Sequence, residues 1–348
     1  MRDYLALTKP RITTLIVICT AAGYYFGSAK SIDWPAFVHA MVGTALIAAG
    51  TAALNQWYEA GSDARMRRTR NRPIPAGRIK SVHGLLFGLG LSLIGFADLW
   101  METNKVAALL GFFALVTYIL LYTPLKQRSP VCTTIGAVPG AMPPLIGYAA
   151  ATGRLDAEAL MLFLILFIWQ FPHFYAIAWM YREDYARGRI QMLAVVQPDG
   201  ESTARRIVLC SVLLMFASCA PRFLGMVGPN YLIAAVGAGL VLLAFSIRFG
   251  KTRTFSRARH VVLASVFYLP VIFGAMVMAH HVMINERDLQ HHSNANSRSE
   301  RSGGARSSRH DQDDDHKDGH DHSHGFDWAE ASRIAFVALA AVAVCRRL

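Results

Sequence analysis

"FVHAMVGTALIAAGTAALNQWYEAGSDARMRRTRNRP", residues Phe37 to Pro73, decides how the rest of the chain is read. Its first half, Phe37 to Leu54, contains no Asp, Glu, Lys or Arg. It has the length that a helix needs to cross the hydrocarbon core of a bilayer. The second half reverses character within a turn, with Glu59 and Asp63 followed by Arg65, Arg67, Arg68, Arg70 and Arg72. An apolar segment that ends in so many charges is a membrane span with a functional or topological mouth.

Blocks like the first half recur along the 348 residues, of which 53% are hydrophobic and 17% charged. They lie near Ile12–Ala29, Phe37–Leu54, Val82–Trp100, Val106–Leu121, Cys132–Ala151, Ala159–Tyr181, Ile207–Leu224, Tyr231–Phe249 and Val261–Ile284. The runs are continuously apolar, not alternating, so the spans are helices with internally satisfied backbones and not barrel strands. The expected fold is all-α, a polytopic membrane bundle of about nine transmembrane helices. The first block lacks a small-residue cleavage site and leads directly into further spans, so it reads as retained and not as a secretory signal. The five cysteines fall in or beside apolar segments without CxxC spacing and read as small hydrophobes.

A net charge of +12 could suggest nucleic acid, but the placement of the charge excludes that partner. With the N-terminus inside, the inside segments carry 21 basic residues and the short outside loops carry four, Lys30, Lys105, Arg154 and Arg222. That asymmetry puts the N-terminus and the Asn55–Arg78 stretch on the cytoplasmic side of the membrane. Long polar loops follow the second and sixth spans, as in a duplicated bundle. Residues 1–284 form one membrane domain. Residues 285–327, rich in Ser, Arg, Asp and His, cannot bury a core and read as a disordered tail. The apolar piece in 328–348 is short for a span and reads equally as an extra or an interfacial helix.

Asn55, Glu59 and Asp63 stand at i, i+4 and i+8, which stacks three oxygen-bearing side chains on one helical face, with Arg67 continuing the row. Mg²⁺ takes one or two carboxylates and completes its shell with water and substrate phosphate, so the row suits a metal-bridged diphosphate. The surrounding arginines, Arg67, Arg68 and Arg72 among them, offer forked donors for phosphate oxygens. They also serve as topology signals, and the acids could simply balance them. Asn55 and Glu59, at the end of an apolar helix, are harder to dismiss, because polar groups in a membrane are costly and retained for function.

With its flanks, the row "NQWYEAGSDARMRRTRNRP" resembles the first acidic motif of the UbiA-type intramembrane prenyltransferases. "MRRTRNRPIPAGR" resembles the form found in the protoheme IX farnesyltransferases, or haem O synthases. The resemblance runs from "LTKPR" at Leu7 to about His281 and includes "YTPLKQRS" from Tyr122, "GAMPPLIGY" from Gly140, "WQFPHFYAIAWMYREDYARG" from Trp169 and "ML" at Met192. There are departures. Glu59 stands where the family usually has Asp, Gly61 where a further acid is frequent, and Ala194 where a proline commonly follows "ML". The Gly61 departure leaves the number of metal ions open.

The resemblance implies a UbiA-like fold and transfer of a farnesyl group from farnesyl diphosphate to a vinyl group of protohaem IX (haem b). Water adds at the adjacent carbon, the product is haem O, and diphosphate is released, in service of haem-copper oxidase assembly. It implies catalytic roles for Asn55, Glu59, Asp63, Lys126 and Asp184. A divalent metal, Mg²⁺, would rest on Glu59, Asp63, Glu183 and Asp184. Substrate contacts would come from Arg67, Arg68, Arg72, Arg128, Tyr122, Tyr185 and His173. The last would act as a haem axial ligand or propionate partner, where a lone apolar histidine is otherwise a hydrogen-bonded core residue. Glu183 could equally belong to a solvated mixed-charge loop, and Lys126 could snorkel at the interface. Aromatic faces of Trp57, Tyr58, Phe174 or Tyr175 would stabilise an allylic cation. The implied partners are the bilayer and a haem A synthase or oxidase-assembly protein. The rival is another prenyltransferase of this superfamily with a quinone-precursor or chlorophyll-like acceptor; the extended "RRTRNRP" and the adjacent acids followed by Tyr185, in place of a DxxxD pair, argue against it. A metal transporter, suggested by "HDQDDDHKDGHDHSHG" from His310, would leave the first motif unexplained.

Overall fold

A computed structural model describes residues 1–28 and 31–305, with side chains to 280. All regular structure in it is helical. The main helices are α1 (Pro10–Gly27), α2 (Trp34–Arg65), α3 (Ser81–Glu102), α4 (Lys105–Val116), α5 (Cys132–Gly140), α6 (Met142–Thr152), α7 (Ala157–Met180), α8 (Arg182–Arg187), α9 (Glu201–Phe223), α10 (Tyr231–Thr252) and α11 (Phe255–Ala305). A short helix, Arg2–Leu7, precedes them.

Seven of these elements are long and apolar enough to cross a membrane among the described residues. They are α2, α3, the Lys105–Leu125 helix that begins with α4, α7, α9, α10 and α11 up to His280. The remaining two expected spans take other forms. α1 is a helix of 18 residues that opens on Pro10 and Arg11. The block expected as one span at Cys132–Ala151 is broken into α5 and α6 at Ala141. The break has a local cause: Pro143 and Pro144 supply no amide hydrogen, and proline disfavours helical geometry in the residue before it. Gln170 of α7 reaches into the break and donates through Nε2 to the Ala137 carbonyl at 2.9 Å. The segments expected at 285–327 and 328–348 lie, from 306 onward, outside the described residues; before that the backbone continues α11.

The helix starts follow the cap chemistry of the sequence. Asp33 accepts from the Ala36 amide at 3.2 Å to open α2, Asn104 from Ala107 at 3.0 Å to open α4, and Asp156 from Glu158 at 3.1 Å to open α7. Asn104 also donates to the Ala149 carbonyl at 2.7 Å, tying the start of α4 to α6.

Between helices, small residues set the approach, as expected where lipid supplies no hydrophobic drive for association. α2 packs along α3 through Gly50, Gly88 and Gly95, and α1 packs along α6 through Gly23 and Gly147. A methyl group on Gly147 would strike the Thr20 carbonyl, and one on Gly23 the Pro144 carbonyl. Gly147→Ala is therefore expected to cost about 1–3 kcal/mol and lower the melting temperature of the purified protein. Gly61→Ala, inside α2 with no described atom within 4 Å of the added carbon, should not lower it. Equal melting temperatures for the two variants would refute this account of the α1–α6 crossing.

One large apolar core lies among α7, α9, α10 and α11, and a second among α1 to α6. The polar loops after α2 and after α7 meet over the seam between these halves.

Candidate active site

α2 has 32 residues, a length of roughly 48 Å, against a hydrocarbon core of roughly 30 Å. Its last three turns can therefore carry polar groups out of the apolar layer. Asn55, Glu59 and Asp63 occupy those turns on the inward face and are 1%, 5% and 0% exposed. The row ends there: α2 stops at Arg65, Met66 is extended, and the exposed Arg67 leaves the helical face that the sequence pattern assigned to it.

Each member of the row is covered by a cation from a different part of the chain. Lys9 Nζ donates to Asn55 Oδ1 at 3.2 Å, Lys126 Nζ to Glu59 Oε1 at 2.7 Å, and Arg72 to Asp63 Oδ2 at 2.6 Å. Lys126 is largely buried and held over the Tyr122 ring at 4.5 Å, so it does not snorkel to the interface. Lys9 was not singled out from the sequence beyond its charge. It stands just before Pro10 with a left-handed backbone (φ 47°), a conformation disfavoured for a residue with a side chain.

Residues Thr117–Tyr122 form a π-helical turn continuing α4, a feature common at functional sites. It brings the Tyr118 and Tyr122 rings to 4.8 Å from each other beside Lys126. Thr123 Oγ1 donates to the Tyr118 carbonyl at 2.8 Å and accepts from Asn55 Nδ2 at 3.3 Å, joining the turn to the acidic row. Of the aromatics expected near an allylic cation, Tyr58 and Phe174 face the outside of the bundle at 43% and 42% exposure. Trp57 packs with the cluster of Leu7, Ile74 and Ile79. Tyr175 is buried but accepts from Arg206 at 3.2 Å. Tyr118, which sequence reasoning missed, and Tyr122 are the aromatic faces beside the row.

The second acidic site is arranged differently from the expectation. Asp184 Oδ1 accepts from the Arg67 amide and Oδ2 from the Arg68 amide, both at 3.0 Å, and Arg187 donates to Oδ1 at 3.0 Å. Burial alone would raise this carboxyl's pKa, but the two amides and Arg187 outweigh it and hold the group below the ordinary carboxylate range. The Arg68 guanidinium lies 4.7 Å from the centre of the Tyr181 ring and 5.8 Å from that of Tyr185, and donates to the Tyr185 hydroxyl at 3.5 Å. Arg65 donates to the Gly188 carbonyl at 3.3 Å. The loop after α7 thus clasps the loop after α2.

Glu183 projects outward, 76% exposed, and pairs with Arg187 at 3.6 Å, while Arg128 is exposed beyond α4. The quartet Glu59, Asp63, Glu183 and Asp184 is therefore not gathered as one metal cage. Among the described residues no three acids, histidines or cysteines converge on a metal-sized point. The reason is competition: the backbone amides of the first loop have claimed Asp184, and solvent has claimed Glu183. The row itself still fits a hard cation with few protein ligands. Asp63 Oδ1 is buried and has no hydrogen-bond partner among the described residues, which is unusual for a carboxylate oxygen unless a ligand completes it.

His173 lies apart from the acids on α7, seven residues short of that helix's end at Met180. The helix is interrupted at Tyr181, so it does not run on to Asp184.

The family model described as "UbiA prenyltransferase family" matches residues 16–271. A protein of Solibacter usitatus (strain Ellin6076) named protoheme IX farnesyltransferase is 52% identical over 287 residues, covering 80% of this chain and 98% of that one. Among solved structures, a digeranylgeranylglyceryl phosphate synthase superposes with a TM-score of 0.68 at 18% identity, covering 80% of this chain and 98% of that one. A UbiA homologue from Archaeoglobus fulgidus, described as bound to GPP and Mg²⁺, gives 0.55 at 14% identity, covering 79% and 99%. The two structures share the fold. The family match across most of the sequence and the 52% identity over four-fifths of it place the chain in the UbiA prenyltransferase family, in its protoheme IX farnesyltransferase branch.

Proposed function

We propose that the chain transfers the farnesyl group of farnesyl diphosphate to a vinyl group of protohaem IX, making haem O at the cytoplasmic face of a bacterial inner membrane. The observation that carries the reading is the row of Asn55, Glu59 and Asp63, each covered by a cation within 3.2 Å, with one Asp63 oxygen left without a partner. The acceptor follows the name of the 52% identical relative. The orientation rests on the basic inside loops.

Glu59 and Asp63 are the residues that would hold Mg²⁺, which when bound supplies charge neutralisation at a diphosphate. The rest of the chemistry belongs to the chain's own groups. Lys9, Lys126 and Arg72 stand on the row as movable counter-charges and can turn from the acids to phosphate oxygens as a substrate arrives. The carbon–oxygen bond of the allylic diphosphate breaks and its electron pair leaves with the diphosphate, where these cations stabilise it. The farnesyl cation lies against the faces of Tyr118 and Tyr122. Its terminal carbon bonds to the vinyl group, water adds its oxygen to the adjacent carbon, and one proton is lost to solvent. The surrounding apolar bundle delays water from quenching the cation directly.

The purified protein with protohaem IX, farnesyl diphosphate and Mg²⁺ should yield a porphyrin heavier by one farnesyl group plus one hydroxyl group. A protein that prenylates a quinone precursor and leaves haem unchanged would overturn the acceptor assignment.

Residues 1–284 constitute the catalytic domain in this reading, with the Ser-, Asp- and His-rich continuation dispensable for chemistry. Deleting residues 285–348 is expected to leave turnover within about 2-fold of the full chain, an effect below half a kcal/mol in barrier. A well-inserted truncation with no haem O product would contradict it.

A further inference from the structure

Gln170 stands on α7 inside the bundle, 3% exposed, ten residues and roughly 15 Å of helix before the end at Met180. The chain uses only one side of its amide. Nε2 donates to the Ala137 carbonyl at 2.9 Å and to the Leu166 carbonyl at 3.3 Å. Both partners are acceptors, so the NH₂ end is fixed there and Oε1 is turned away from them. No described residue donates to that oxygen.

Splicing the break between α5 and α6 needs the NH₂ group alone. A buried amide oxygen normally has a donor of its own, and the chain supplies none to Oε1. It lies against Gly140, where an added methyl group would collide with it. The Gly140 carbonyl is a second acceptor at that residue. The amides that would bond it in a 3₁₀ or an α-helical turn belong to positions 143 and 144, and both are proline. Two neutral acceptors at one buried residue suit a donor with two hydrogens and no charge, which is water.

This residue lies beside the aromatic faces of the active site. Gly136 and Gly140 are four positions apart on one face of α5, roughly 6 Å along its axis. A methyl group on Gly136 would collide with the Tyr122 ring. Tyr122 therefore covers the first glycine and Gln170 Oε1 the second. When a farnesyl cation resting on Tyr122 bonds to the vinyl group, the positive charge moves along that group to the carbon next to the porphyrin, within the reach of that turn.

We propose that Gln170 Oε1 and the Gly140 carbonyl hold the water that adds to the acceptor, which makes Gln170 a catalytic residue for the second half of the reaction. This rests on the proposed farnesyl transfer to a vinyl group. A water that donates both hydrogens to these acceptors turns its lone pairs to the new cation and stays on one face of it. One lone pair forms the carbon–oxygen bond, the charge passes to the oxygen, and one of its protons is lost to solvent. Without the held water, the cation discharges by losing a proton from the neighbouring carbon, which leaves a farnesylated alkene with no hydroxyl.

The test is the product made by the full chain in detergent from protohaem IX, farnesyl diphosphate and Mg²⁺. The wild type should give a hydroxylated product with one configuration at the hydroxyl-bearing carbon. Gln170→Met, similar in size but without the amide oxygen, should lower the ratio of hydroxylated to alkene product by about 10-fold or more, whatever its total turnover. Gly140→Ala, whose methyl displaces Oε1, should shift the ratio in the same direction. Gln170→Glu, which as the neutral acid keeps an acceptor oxygen beside a donor, should preserve it. A role in packing alone would lower turnover at constant ratio. If the variants fail to fold, the wild type decides, because both configurations in equal amount would mean that unheld water quenches a free cation. That result, or an unchanged ratio in both Gln170→Met and Gly140→Ala, overturns the assignment while farnesyl transfer stands. A wild-type chain that makes no farnesylated porphyrin overturns the functional reading and this inference with it.

Discussion

Glu59→Gln and Asp63→Asn should each lower farnesyl transfer by about 10²-fold or more, with the protein still inserted and folded. The expected size is that of losing an electrostatic stabiliser of departing charge in a site screened from water. Both substitutions keep volume and shape, so packing of α2 is preserved and the change is one of charge. Each also strands a cation: Glu59→Gln leaves the mostly buried Lys126 without its 2.7 Å partner, and Asp63→Asn does the same to Arg72. Breaking one side of a buried pair costs stability, of the order of 3–5 kcal/mol when both charges are fully enclosed. The half-open Arg72 should cost less, so Asp63→Asn is the cleaner variant. The double variant Glu59→Gln/Lys126→Met separates the two effects, because it removes the stranded charge and should regain stability without regaining activity. Turnover and half-saturating Mg²⁺ are the quantities to measure. Wild-type turnover at unchanged metal dependence in both single variants would sink the assignment of the row.

Much of this site is legible in the sequence because it is local. The apolar run from Phe37 to Leu54 makes α2, and the i, i+4, i+8 spacing puts Asn55, Glu59 and Asp63 on one buried face. The counter-charges are not local. Lys9 is 46 residues from Asn55 and in the sequence looks like an ordinary positive charge at the end of a span; Lys126, 67 residues from Glu59, is expected in the site from the resemblance, but its pairing with Glu59 is not. Tyr118 escaped notice for a different reason: its position depends on a π-turn, which shifts the helical register and has no signature in hydrophobic spacing. The break between α5 and α6 was written in "MPP", but the continuous apolar run around it reads as an unbroken span. The role of Asp184 was hidden most completely, since its partners are the backbone amides of Arg67 and Arg68, and side-chain patterns carry no information about where amides point.

That hidden role separates two accounts of Asp184, as a metal ligand and as the clasp that shapes the first loop. Asp184→Asn distinguishes them. An asparagine has one acceptor oxygen where the carboxylate has two, so it can serve the Arg67 or the Arg68 amide but not both, and its amide group would face the other N–H. Leaving one such group unsatisfied costs about 1–3 kcal/mol locally, and the Arg187 pair is weakened as well. The loop from Met66 to Arg72 should loosen, and Arg72 with it, which sits on Asp63 at 2.6 Å. Turnover is therefore expected to fall by roughly 10- to 100-fold, the equivalent of that local cost in the barrier. Trypsin should cut after Arg67, Arg68 or Arg70 faster than in the wild type. Half-saturating Mg²⁺ should stay where it is, in contrast to Asp63→Asn. The pH dependence has a definite sign. The carboxyl is held below its unfolded value, so its contribution is complete above the ordinary carboxylate range and is lost only as pH falls through the lowered pKa. The clasp should then hold throughout the neutral range and release only in acid. An Asp184→Asn protein with wild-type protease resistance and a raised Mg²⁺ requirement would show that Asp184 acts on the metal and not on the loop.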